Sequence, residues 1–179
     1  MMGRCVTVYR NPRGQTPARG NRVENTGDLR TVHRESCSGQ GVFGTAYQLG
    51  PEILAVTVPG EIIPVTLSSS ALLSGVTHDP GGAGIAVGPQ GGYEIQFALY
   101  ISADTANTAT FLLQHDEENL AGGAWDIPLI SGFQIVTGFT MARLSQNSSV
   151  RIAMTAASPL AARLTGSNTT ALLSVRKLQ

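Results

Sequence analysis

The sequence predicts an all-β domain, a sandwich or barrel, over residues 41–179. Three observations carry that expectation. From Val42 onward, short apolar runs rich in Val, Ile, Leu, Thr and Phe are separated by Gly, Pro, Asn, Asp and Ser clusters at nearly regular spacing. Within the longest runs large side chains recur at every second residue, the period of a strand and not of a helix. The composition agrees: of 179 residues 42% are hydrophobic and only 13% charged, with a formal net charge of zero. Such a chain is too apolar and too weakly charged to remain disordered.

Residues 1–40 stand apart from this pattern. They hold seven arginines against Glu24, Asp28 and Glu35, a formal +4, whereas residues 41–179 carry a formal −4. Pro12, Gly14, Pro17, Gly20 and Gly27 break any helix or strand period, so an irregular basic arm is expected there. Strands are expected over Ile53 to Val58, Ile62 to Leu67 and Ile85 to Val87. The clearest follows, from Tyr93 to Ile101, where Tyr93, Ile95, Phe97, Leu99 and Ile101 alternate onto one face. Thr108 to His115 and Gly122 to Ile127 come next. Phe133 to Met141 then places Phe133, Ile135, Phe139 and Met141 on one face, with Gly138 inside it as the mark of a bulge or a close backbone approach. Ser149 to Thr155 and Thr169 to Lys177 close the series, and no helical period is present. The last strand is apolar on both sides, with Ala171, Leu173 and Val175 opposed to Leu172 and Leu178. A two-layer sandwich in water needs one apolar face per sheet, and the excess points to a homo-oligomer.

Several functions are excluded or disfavoured. The neutral balance lacks the basic face of a nucleic-acid binder; the arm's charges are separated and lack aromatic interleaving beyond Tyr9, which favours a solvated tail. No run of about 18 apolar residues offers a membrane span, and Met1 to Gly20 shows no apolar core of a secretory signal. Motifs of phosphate cradles, dinucleotide folds, zinc peptidases and serine hydrolases are missing, so neither an enzyme nor a cofactor is expected. Gly81-Gly82-Ala83-Gly84 precedes a strand and reads as a turn. His115-Asp116-Glu117-Glu118-Asn119 has oxygen and nitrogen donors for Ca²⁺ or Zn²⁺, but consecutive residues rarely converge on one ion, and a solvated hairpin tip without metal is the simpler expectation. Cys5 and Cys37 are open to three readings: a closed loop, a cross-link between chains, or free thiols.

The order Pro89-Gln90-Gly91-Gly92-Tyr93-Glu94-Ile95-Gln96-Phe97, Thr110-Phe111-Leu112-Leu113, Ser131-Gly132-Phe133-Gln134-Ile135-Val136-Thr137, Val150-Arg151-Ile152 and Ala171-Leu172-Leu173-Ser174-Val175-Arg176-Lys177-Leu178 resembles a known family. It is similar to the tumour-necrosis-factor-like globular head shared with complement component one, subcomponent q. Phe43-Gly44-Thr45-Ala46-Tyr47 and the closing strand resemble its bacterial branch, the C-terminal domains of BclA-type exosporium glycoproteins and their collagen-free companions. The sequence departs from that branch in having no Gly-x-y repeat in residues 1–40, and in a turn that reads Gln146-Asn147-Ser148-Ser149 where the family usually has Gly-Asp; Asn serves such a turn for the same backbone reason. The resemblance implies a ten-stranded jelly roll, a homotrimer about a threefold axis, and a non-catalytic structural or adhesive role at a bacterial spore surface. The +4 charge and two thiols of the arm are features by which it is expected to attach to other surface proteins. A carbohydrate- or receptor-binding jelly-roll module, such as a phage-fibre tip, is the alternative. On this reading Tyr93, Ile95, Phe97, Phe133 and Ile135 fill the sandwich core, and Tyr100, Val136 and Leu172 face the threefold axis.

Overall fold

The computed structural model describes residues 41–78, 82–166 and 168–178. The arm expected over residues 1–40, with Cys5 and Cys37, lies outside them. All regular structure described is strand: β1 (Phe43–Leu49), β2 (Glu52–Val56), β3 (Ile63–Pro64), β4 (Ser69–Ser74), β5 (Val76–His78), β6 (Gly84–Val87), β7 (Gly91–Ala103), β8 (Asn107–His115), β9 (Glu118–Leu129), β10 (Gly132–Leu144), β11 (Ser149–Thr155), β12 (Leu160–Leu164) and β13 (Thr169–Lys177). Thirteen strands stand where the resemblance implies ten, and the additional pieces are short, such as β3 with two residues and β5 with three. The run expected over Ile62 to Leu67 shrinks to β3, although the Val65 N–H still donates to the Ile152 carbonyl at 2.9 Å. β4 (SSALLS) and β12 (LAARL) were not foreseen, since Ser and Ala carry little strand preference.

Two antiparallel sheets pack face to face. In the seven-stranded sheet β7 is central: β10 pairs along one edge, while β13 and β12 share the other, over Tyr93–Leu99 and Ile101–Ala103. β1 and β4 extend the sheet beyond β13, and β2 beyond β12. The six-stranded sheet runs β5-β6-β11-β8-β9, with β3 also on β11. Tyr93, Ile95, Phe97, Leu99 and Ile101 of β7 meet Phe111 and Leu113 of β8, Ile152 and Met154 of β11 and Leu173 and Val175 of β13 in a single buried cluster. Removing this much apolar surface from water at roughly 25 cal/mol per Å² is the main term that holds the two layers together.

The register of β10 overturns part of the expected core. β10 pairs with β7 without interruption from Gly132↔Ala103 to Leu144↔Gly91, so Gly138 introduces no bulge. Directly paired residues share a face, and Ile135 pairs with Tyr100 while Val136 pairs with Leu99. The Phe133 and Ile135 face therefore continues the outer side of β7. Both are 56% exposed instead of filling the core, and Val136, expected at the threefold axis, is a core residue at 3% exposure. Room inside the sandwich explains the choice. Gly138 faces inward opposite Phe97, and a Cβ there would overlap the Phe97 ring. The ring takes that space and reaches Trp125 of β9 edge-on, with centroids 5.3 Å apart and planes at 66°. A one-residue slip would exchange the faces and set Thr137 or Phe139 against Phe97, where nothing so large fits.

Candidate functional site

The outer face of the seven-stranded sheet is the surface that the sandwich alone does not explain. Its rows follow from the ladder. Ile135 sits beside Tyr100; Thr137, Ala98, Leu172 and Tyr47 form the next row; Phe139, Gln96, Ser174 and Thr45 the one after. No charge interrupts these three rows. Charges appear beyond them, as the Glu94–Arg176 pair at 2.8 Å on one side and Arg163 beside Ser102 on the other. Phe133 lies at that second end, its ring stacked on Tyr100 with centroids 6.2 Å apart and planes at 24°. Phe139 is 51% and Met141 59% exposed, and Ile53 of β2 and Phe43 of β1 are also exposed. A depression of about 500 Å³ lies over these rows, lined by Gln96, Ala98, Thr137, Phe139 and Leu172, with Phe97 and Trp125 also in its wall beside Gly138.

Of the side chains expected at the axis, Tyr100 and Leu172 lie on this face and Val136 does not. Tyr93, Ile95 and Phe97 are buried in the core, and Phe133 and Ile135 instead join Tyr100 on the outside. Sequence reasoning missed Phe139, Met141 and Ile53 as surface residues. The available signal was Gly138: a strand whose inward set must contain a glycine beside a Phe has to carry its bulky set outward.

The acidic hairpin tip is engaged within the protein. Asp116 and Glu117 take the left-handed conformation, at φ 48° and 74°, that a two-residue hairpin turn requires. Asp116 Oδ1 accepts from the Ser149 N–H at 2.7 Å, and Glu117 Oε1 lies 3.5 Å from the Arg151 guanidinium. Among the described residues no three His, Cys, Asp or Glu side chains come together as a metal site. Asn147, in the turn where the family usually has Gly-Asp, stands at φ 60°, the conformation that turn demands.

Two antiparallel sheets in this order, stacked over one core, make a jelly roll, and its fold is like that of tumour-necrosis-factor proteins. Solved structures with this architecture are similar to the described domain. Murine APRIL aligns with TM-score 0.54 and 16% identity over 78% of this chain and 100% of that one. Eiger TNF from S. frugiperda aligns with TM-score 0.51 and 12% identity over 78% and 93%, and the PRD1 vertex protein P5 with TM-score 0.50 and 11% identity over 76% and 96%. No protein-family model matches the sequence, and no curated protein is recognisably related to it by sequence.

Proposed function

We propose that this chain forms a homotrimeric, non-catalytic head domain that builds or decorates a surface assembly. The observation that carries the proposal is the outer face of the seven-stranded sheet. Soluble monomers rarely leave contiguous apolar patches of this kind facing water. A closed threefold ring would cover the patch on every copy with no additional sequence, and it would place Tyr100, Leu172 and the β10 side chains Phe133, Ile135 and Phe139 between subunits, with Met141 beyond them beside Glu94.

The described histidines make local contacts. His78 Nε2 is hydrogen-bonded to the Leu67 carbonyl at 3.0 Å, and His115 Nε2 lies 3.4 Å from Asp116 Oδ2. Among the described residues neither is hydrogen-bonded to a Ser, Thr or Cys that it could activate. The setting we favour is a bacterial spore surface, which rests on the exosporium-like resemblance of the sequence, with residues 1–40 attaching the head through their +4 charge and Cys5 and Cys37 to other surface proteins. A second reading, a carbohydrate- or receptor-binding head such as a phage-fibre tip, draws support from the fold likeness to the PRD1 vertex protein P5.

Light scattering on the full chain tests the assembly. A trimer weighs three times the 18.7 kDa of one chain. A monomeric mass at micromolar concentration would rule the proposed head out.

A further inference from the structure

The flank of the sandwich between β9 and β10 is open. β9 pairs only with β8 and β10 only with β7, so these two strands lie side by side without a ladder between them. Near the β8–β9 hairpin they part around a cleft of about 400 Å³, with His115, Glu118, Asn119, Leu120 and Ala121 on one side and Met141, Ala142 and Arg143 on the other. That volume falls in the range of roughly 300–1,000 Å³ usual for small-molecule sites.

The cleft is produced by a large irregularity in β9. Leu112 pairs with Ala124 and Gln114 with Asn119, so Leu113 alone faces the four residues from Leu120 to Gly123. The bulge depends on Gly122 at φ 70° and on Gly123, where a Cβ would meet Leu120 Cβ at 3.0 Å and Leu113 Cβ at 3.3 Å. Bulges of this sort interrupt pairing and re-aim side chains beside functional sites. This one leaves Leu120 and Ala121 in the cleft wall, where regular pairing would have drawn them into the ladder.

The polar groups of the cleft are set in advance. Arg151 Nε can only donate, and it donates to Gln114 Oε1 at 2.9 Å. Gln114 must then turn Nε2 toward Asn119 Oδ1, at 2.9 Å, and the Glu117 carbonyl, at 3.3 Å. With Oδ1 engaged, Asn119 has Nδ2 left to donate. Among the described residues Arg143 and Glu118 have no ion-pair partner. One guanidinium, one amide donor, one carboxylate and the His115 ring thus share the cleft with the apolar Leu120 and Met141.

We infer that this cleft binds an acidic monosaccharide unit of the uronate class. Arg143 takes the carboxylate in a two-pronged, charge-assisted contact, Asn119 donates to one ring hydroxyl and Glu118 accepts from another. The C–H face of the pyranose lies against Leu120 and Met141. Glu118 opposes a dianion such as phosphate, and a neutral sugar leaves Arg143 without its counter-charge. The inference deepens the carbohydrate-binding reading above and does not depend on the spore setting.

Isothermal titration of the full chain with methyl β-D-glucuronide tests it. Saturable binding with Kd of order 1 mM is expected, with methyl β-D-glucoside and inorganic phosphate at least about tenfold weaker and Arg143→Ala weaker than wild type by a similar factor. Glu118→Gln, which keeps the side-chain shape, is expected to lose a few-fold in affinity and carries the test if Arg143→Ala loses its near-UV circular dichroism. Absence of saturable binding, equal binding of the glucoside or of phosphate, or undiminished binding by whichever of these variants is folded would overturn the site. The solution mass would be untouched by any of these results, so the failure of the site and the failure of the trimeric head are distinguishable.

Discussion

The outer faces of the two sheets differ in a way their inner faces do not. On the six-stranded sheet the outward side chains of β8, β9 and β11 include Thr108, Thr110, Asp126 and Arg151, with Thr110 donating to Asp126 Oδ1 at 2.6 Å, and the apolar members of these rows, Leu112 and Ala153, are already buried. Polar and hydroxyl side chains of this kind suit a sheet that ends at water. The seven-stranded sheet instead presents Phe133, Ile135, Phe139 and Met141, each more than half exposed, along one strand. Both sheets carry the same core on their inner sides, so stability of the sandwich cannot be what selects these residues. The contrast sets an outer face suited to solvent against one that the proposed threefold ring would cover.

The most disruptive way to challenge that contrast is Leu172→Arg. In a threefold ring it brings three guanidinium groups together in a desolvated place, a cost of several kcal/mol, on the order of that for breaking a buried ion pair. A folded monomer with unchanged near-UV circular dichroism is expected by light scattering; a variant that remains trimeric with unchanged Tm would break the assignment of this face. Within that monomeric background, two isoleucines of the same sheet sharpen the comparison. Ile95→Ala on the inner face should cost about 2–5 kcal/mol in chemical denaturation, and Ile135→Ala on the outer face less than about 0.5 kcal/mol. Equal losses would mean that β10 presents the other face.

Smaller effects probe the reason for the register. Gly138→Ala should cost about 1–3 kcal/mol through crowding of Phe97, and pairing it with Phe97→Leu should restore part of the loss; additive losses in the double variant would show that Phe97 is not the obstacle. The smallest effect expected is electrostatic. Glu61 Oε2 accepts from the Thr57 N–H and hydroxyl, both at 2.9 Å, and from the Val58 N–H at 3.3 Å. These contacts, the Thr57 backbone N–H foremost, hold its carboxyl below the ordinary value of 4.5. A depressed folded value means that the unfolded chain binds the proton more readily, so the contribution is complete above pH 4.5 and is lost as pH falls through the lower folded value. Glu61→Gln should therefore lower Tm slightly near neutral pH, with the difference from wild type vanishing in acid. A difference that grows in acid would contradict the assigned hydrogen bonds.

Local sequence determined the all-β class and much of the strand placement, because a period of two and turn chemistry are properties of neighbouring residues. The alternation from Tyr93 to Ile101, the Asp116-Glu117 tip and the Asn147 turn were legible in this way, as was the fact that Phe133, Ile135, Phe139 and Met141 share one side of a strand. Which side of that strand meets the core was not. Both sides of β10 are available to a local reading, and the choice depends on its register with β7 and on the space that Phe97 claims opposite Gly138, 41 positions along the chain. The same holds for the cleft beside Arg143: each of its walls is a plain strand segment in sequence, and only the unpaired flank of β9 and β10, opened by four residues facing Leu113, brings Asn119 and Arg143 to one place.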